Sequence, residues 1–216
     1  MGKEDMASFR RMLREAAAGH GIPLSDPQIQ LLSVHRGLLE TWGRRMNLTA
    51  IRDSVEIVQR HFLEGLLAGQ FLARLGASGS LLDLGSGNGF PAVPIRVALP
   101  EASPVVLVES SGKRAAFLRA LLRNLGWSES RVETRRVQKG RDLQDLPCDI
   151  FTTRGVTPFD LLKEGLPFLN PGGTALFFMR RTLLDREVPH LPESLSIEGE
   201  SPLPGREAGM ILLRKR

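Results

Sequence analysis

The stretch 81-LLDLGSGNGFPAVP-94 constrains this chain more than any other. An apolar run carries Asp83, glycines follow at every second position (Gly85, Gly87 and Gly89), and Pro91 and Pro94 come directly after. Glycine has no Cβ, so such a loop can turn sharply and bring its backbone close to a ligand. A short apolar run opening into a bare loop marks a strand and turn of an open α/β sheet, where ligands bind beyond the carboxyl ends of the strands. Taken alone, the loop has two readings, a tight turn or a binding site.

Beyond residue 80 short apolar runs alternate with helical patterns. The strand candidates are Leu81–Leu84, 104-PVVLVE-109, 131-RVETRRV-137, 148-CDIFTTR-154 and 174-TALFFM-179. A closing pair, 194-SLSIEGE-200 and 209-GMILLRK-215, is joined by 201-SPLPGREA-208 as a hairpin. Residues 91–99, 111–126 and 158–169 read as helices, and 170-NPGG-173 reads as a turn. The alternation predicts an α/β fold with a mostly parallel sheet covered on both faces. Seven strands closed by an antiparallel hairpin match the Rossmann-like methyltransferase variant of that layout. Residues 1–76 read as helical instead. In 27-PQIQLLSVHRGLLETWGRRM-46 the apolar residues recur near the helical period. A second start lies at Asp53, with Glu56 three residues on, and its helix runs to Leu75. We therefore expect an N-terminal helical cap over residues 1–76 and a sheet core over residues 77–216, the cap lying over the sheet's carboxyl edge.

The second strand candidate ends in Glu109, 24 residues after Gly85. A carboxylate there is placed to accept the ribose hydroxyls of an adenosine. A dinucleotide fold would add a helix start that takes a pyrophosphate. Here Pro91 and Pro94 remove donors from that helix start. A cofactor without phosphate fits better, S-adenosylmethionine foremost, and Asp83 suits its cationic sulfonium and amine.

Composition narrows the setting. The net charge is +5 across 216 residues, with a pI near 10.1, and the bases are mainly Arg, which suits phosphate contact. The same bias also fits genome composition or a warm habitat. No apolar run approaches the ~20 residues of a membrane span, and the first 19 residues lack the apolar core of a secretion signal. Cys148 is the lone cysteine, which excludes an internal disulfide and disfavours a cysteine-based metal site. The expectation is a cytoplasmic monomer with no membrane association and no metal.

Several stretches together resemble the RsmG (GidB) methyltransferases. They are LDLGSGNGFPAVPI (residues 82–95), 42-WGRRMNLTAIRD-53, 60-RHFLEGL-66, 112-GKRAAFL-118 and 153-TRG-155. The NLTAIRD element carries most of the specificity, because it is not general to methyltransferases. The resemblance implies a class I S-adenosylmethionine-dependent methyltransferase fold. It also implies transfer of a methyl group to N7 of one guanine in bacterial 16S ribosomal RNA, with that RNA or the 30S subunit as partner. Joined to the reading of the loop, it makes Asp83, Gly85, Gly87, Gly89, Phe90, Glu109, Ser110, Ser111, Val137, Gln138 and Arg154 the cofactor residues. Asn47, Arg52, Arg60, His61, Lys113, Arg114, Arg180 and Arg181 would meet RNA. The family pattern has Glu at Gln138, so an adenine contact survives there and a charge role does not. In 179-MRRT-182, Arg180 stands where Lys is usual and a glycine is lost.

Guanine N7 carries a lone pair and no proton, so no catalytic base is expected; positioning supplies the rate. His20, His35 and His190 read as scattered, without metal spacing. Trp42 and Trp127 read as packing residues, as does Cys148. Three alternatives remain open from sequence: a small-molecule methyltransferase, a nucleotide-dependent oxidoreductase, and an RNA-binding protein that has lost catalysis. Pro91 argues against the oxidoreductase. The intact loop and Glu109 argue against the inactive protein.

Overall fold

The computed structural model describes residues 3–43, 53–155, 159–180, 182 and 191–216. The strands are β1 (Leu81–Leu84), β2 (Val105–Glu109), β3 (Arg131–Thr134), β4 (Cys148–Thr153), β5 (Leu169–Arg180), β6 (Leu195–Pro202) and β7 (Ala208–Lys215). They form one sheet in the order β3-β2-β1-β4-β5-β7-β6. Pairing from β3 through β5 is parallel, and β7 runs antiparallel to both β5 and β6. The chain leaves β1 for β2 on one side and later returns to β4 on the other. That reversal opens a crevice at the carboxyl ends of β1 and β4, the usual ligand position in such sheets.

β1 and β2 are apolar at almost every position because both their faces are covered. Alternate side chains feed two cores. Leu81, Leu107, Ile150 and Leu176 point to one. Leu82, Val106, Phe151 and Phe177 point to the other, with Leu143, Leu161 and Leu166 laid against them. The helices are α1 (Lys3–Ala18), α2 (Asp26–Gly43), α3 (Ser54–Ile57), α4 (Glu64–Arg74), α5 (Ala92–Ala98), α6 (Gly112–Leu125) and α7 (Phe159–Lys163). Phe9, Leu13, Leu32, Phe62 and Leu72 of the N-terminal third share the first core with Val93 of α5 and Phe117 of α6. The contact of α4 on α5 is close enough to exclude side chains. A Cβ on Gly65 would fall 2.7 Å from Pro94 Cβ, and one on Gly69 would fall 2.7 Å from Ala98 Cβ.

Asp53 caps α3 as expected, accepting from the Glu56 N–H at 2.8 Å. The helix expected to run on to Leu75 is interrupted by a π-helical turn over Val58–Leu63, which carries Arg60 and His61. Such turns concentrate at functional sites. β3 stops at Thr134, short of the expected 137. There Arg135 leaves the edge to clasp Asp145 through two bonds of 2.7 and 2.8 Å. Val137 and Gln138 therefore lie on the loop after the strand. α7 spans five residues, far fewer than the expected 158–169. The NPGG turn expected at 170–173 lies inside β5, where the register on β4 shifts between Cys148 and Ile150. Its turn chemistry survives as a bulge, with Pro171 and Gly172 exposed. Cys148 is buried, and burial pushes its thiol up to about 12, so it packs as an inert apolar residue. No helix among the described residues is long and apolar enough to cross a membrane.

Candidate active site

The loop after β1 is pinned to β2. Gly85 N–H and Ser86 N–H both donate to Val108 O, at 2.9 and 3.1 Å, and Gly89 N–H donates to Ser86 O at 2.7 Å. Gly85, Gly87 and Gly89 take φ of +74°, +52° and +87°, conformations costly to any residue with a side chain. Gly89 is also sterically closed. A Cβ there would meet Leu121 Cδ2 at 2.9 Å and the His35 ring at 3.3 Å.

Glu109 ends β2 and is 5% exposed. Its Oε2 accepts from Gly87 N–H at 2.9 Å and its Oε1 from Ser111 N–H at 2.8 Å, so one carboxylate ties the glycine loop to the start of α6. Ser111 in turn caps α6, and Ser110 is exposed with its hydroxyl 3.5 Å from Glu109 Oε1.

Asp83 is fully buried, and among the described residues neither carboxylate oxygen has a hydrogen-bond partner. The nearby Ser86 hydroxyl donates to the Asp83 backbone carbonyl, at 2.9 Å. Burial pushes the Asp83 carboxyl up to about 8; Ser86 opposes the rise and the Glu109 charge adds to it. A buried polar group without a partner calls for an explanation. One carboxylate engaged by backbone and one unpartnered, at the ends of neighbouring parallel strands, suit a ligand that carries both hydroxyls and a cation.

Phe90 packs between two imidazoles. The His35 ring lies 4.4 Å from it at 23°, and the His61 ring 4.7 Å from it at 12°. Phe62 meets Phe90 edge-on at 5.0 Å. His35 Nε2 lies 2.8 Å from Asn88 O, so the fully buried ring also holds the loop backbone. Burial lowers His35 to about 3, against the Asn88 bond that raises it. Burial, with the charges of Arg154 and Arg60, lowers His61 to about 4. Both rings are therefore neutral at physiological pH.

Arg154, just beyond β4, faces Glu64 rather than open space. Its Nη2 lies 2.7 Å from Glu64 Oε2, a contact placed as an ion pair but not aligned as a hydrogen bond. Its Nη1 donates to Arg60 O at 2.6 Å. Glu64 Oε1 accepts from Arg206 at 2.7 Å. Burial lowers the Arg154 pKa and Glu64 opposes that shift, yet a guanidinium stays charged throughout. This triad joins the π-helical turn, the end of β4 and the hairpin between β6 and β7.

Of the expected rim, Lys113 and Arg114 are exposed at the start of α6, and Arg180 is exposed at the end of β5. Arg60 is ion-paired with Glu56. Val137 is half-buried against the second core. Gln138 is exposed, its backbone N–H donating to Asp142 at 2.9 Å. Asn47, Arg52 and Arg181 lie outside the described residues. Sequence reasoning passed over His35, Glu64 and Arg206. His35 was within reach, because it sits on the apolar face of α2 with Leu32 and Leu39. Arg206 was not, because 142 residues separate it from Glu64.

The sheet order with its single antiparallel strand, the glycine loop after β1 and the acid ending β2 define a class I S-adenosylmethionine-dependent methyltransferase. The fold is shared with an O-methyltransferase from Bacillus cereus, solved in complex with SAH. That likeness has a TM-score of 0.58 at 14% identity and covers 94% of this chain and 96% of that one. The chain belongs to the GidB family, rRNA small subunit methyltransferase G, whose family model matches residues 28–204. Ribosomal RNA small subunit methyltransferase G of Chloroflexus aggregans is 40% identical over 171 residues, which cover 77% of this chain and 70% of that protein. The protein of the same name from Stenotrophomonas maltophilia is 35% identical over 204 residues, 91% of this chain and 89% of its own length.

Proposed function

We propose that this protein methylates N7 of a single guanine in bacterial 16S ribosomal RNA, in the cytoplasm and as a monomer. The observation that carries the reading is the pair Asp83 and Glu109 at the glycine loop, in a chain of the small-subunit methyltransferase family. The residues present fit S-adenosylmethionine. The orphaned, fully buried Asp83 carboxylate suits its cationic group. When bound, that cofactor supplies an electrophilic methyl on a sulfonium.

The chain's own residues bind and orient. Glu109 would exchange backbone donors for ribose hydroxyls. Gly85, Gly87 and Gly89 let the backbone approach closely, with Phe90 and its two imidazoles making the loop's floor rigid. Ser110, Ser111, Val137 and Gln138 would lie along the nucleoside. Arg154, held by Glu64, closes the site at β4. Lys113, Arg114, Arg60 and Arg180, with Asn47, Arg52, His61 and Arg181, would meet the RNA, whose target base must be splayed out to be reached. Guanine N7 has no proton to remove, and His35 and His61 are held neutral by burial. The rate then comes from proximity and orientation. The test is labelled S-adenosylmethionine with 30S subunits from a strain lacking the endogenous enzyme, followed by mapping of the modified base. Label confined to one guanine N7 supports the reading; label elsewhere, or none, defeats it.

A further inference from the structure

We propose that the cleft between the second half of α6 and the start of β3 is a second RNA-contact surface, which grips the phosphodiester backbone of the substrate away from the methylated base. This rests on the ribosomal RNA reading above. The cleft, about 540 Å³, is lined by Arg119, Arg123, Arg131, Trp127, Ser128 and Ser130 together with a few apolar positions. It contains no acidic residue.

Of the three arginines, Arg131 is paired with Glu133, and the other two are not neutralised from within. Arg119 and Arg123 are exposed and make no ion pair among the described residues. Among the described residues Arg119 donates to the Thr134 hydroxyl, at 2.6 Å. They stand four apart on one helix, where like charges repel. Glu129 and Glu133, close by in the chain, are occupied by Arg96, Arg131 and Arg135. Glu129 holds Arg96 at 3.1 Å, and Glu133 takes the Nε of Arg131 at 2.9 Å and contacts Arg135 at 3.6 Å. Arg96 also lies 5.2 Å over the Trp127 ring, fixing the cleft's floor. A concave surface that carries two arginines without an ion pair among the described residues, beside two serines, is complementary to phosphate oxygens.

The cleft's place in the fold suits a flanking contact. The start of α6 touches Glu109 through Ser111, while Arg123 is near its other end. The 14 residues of α6 span about 21 Å at 1.5 Å each. RNA held in the cleft would thus be a neighbouring segment of the substrate, tethered while the target base enters the site beyond β1.

The test is the double variant Arg119→Gln/Arg123→Gln, both sites being exposed, with Arg119→Lys/Arg123→Lys as the charge-preserving control. Binding to 30S subunits is followed against salt. Each lost phosphate contact should make the plot of log affinity against log salt shallower by about 0.7–0.9. The Gln pair should therefore lose about 1.4–1.8 of slope and raise KM for 30S subunits at least ten-fold, with the affinity for S-adenosylmethionine unchanged. The Lys pair should keep the wild-type slope. A Gln pair with wild-type slope and KM would overturn the proposal. The salt slope needs no turnover. If the wild-type protein failed to methylate 30S subunits, the functional reading would fall, and the slope would still decide the cleft.

Discussion

Replacing Asp83 with asparagine should make the cofactor-free protein more stable, and increasingly so as pH rises from about 4 to 8. The carboxyl has no hydrogen-bond partner among the described residues and no exposure, and burial pushes it from 3.8 up to about 8. Between those values the native state holds a proton that the unfolded chain has released. Asp83 therefore lowers stability progressively across that window, and the loss levels off above about 8. About three units separate 3.8 from pH 7; at 1.36 kcal/mol per unit the penalty at pH 7 is on the order of 4 kcal/mol. Asparagine keeps the shape and removes the titration. Its unpartnered amide carries its own cost, but one that does not vary with pH. Urea unfolding of both proteins from pH 4 to 8.5, without cofactor, measures the difference. His35 and His61 titrate in the opposite sense over part of this range, but both proteins contain them and they cancel. A difference that stays flat with pH would refute the burial argument. S-adenosylmethionine should reverse the ranking, because its cation favours the ionised carboxylate. Wild-type binding at pH 7 should then release close to one proton, read by calorimetry in buffers of different ionisation heat, and the variant should release none from this site.

Glu109→Ala removes the acceptor shared by Gly87 N–H and Ser111 N–H. It should weaken S-adenosylmethionine binding at least ten-fold by titration calorimetry; an unchanged affinity would remove Glu109 from the site. His35, lowered to about 3, stays neutral in the fold while the unfolded imidazole takes up a proton below 6.5, so its contribution is lost as pH falls. Between pH 6.5 and 5 that loss is about 2 kcal/mol. His35→Leu should show a correspondingly smaller fall in unfolding free energy over that range, and an equal fall in both proteins would contradict the burial. Gly89→Ala combines φ of +87° with a contact of 2.9 Å to Leu121. It should cost about 1–3 kcal/mol in thermal unfolding, whereas an unchanged Tm would mean that the loop relaxes freely.

Much of this molecule was legible locally. Apolar runs, glycine and proline positions and capping residues act over a few residues, so β1, β2, α6 and the closing hairpin stand where the pattern places them. The spacing from Gly85 to Glu109 suggests a carboxylate for ribose hydroxyls; in the fold Glu109 accepts from Gly87 N–H. Pairing partners decided the rest. β3 ends at Thr134 because Arg135 turns to Asp145, and NPGG enters β5 because β4 lies beside it. Spacing could suggest that Asp83 lies near the loop, but its burial and its lack of a partner follow from layers closing over both faces of the sheet. The imidazoles on Phe90, and Arg206 reaching Glu64, likewise come from elements distant in the chain. A residue's period and turn preference are properties of its neighbours in sequence. Its desolvation and its charged company belong to the packed chain, and those set the protonation of Asp83, His35 and His61.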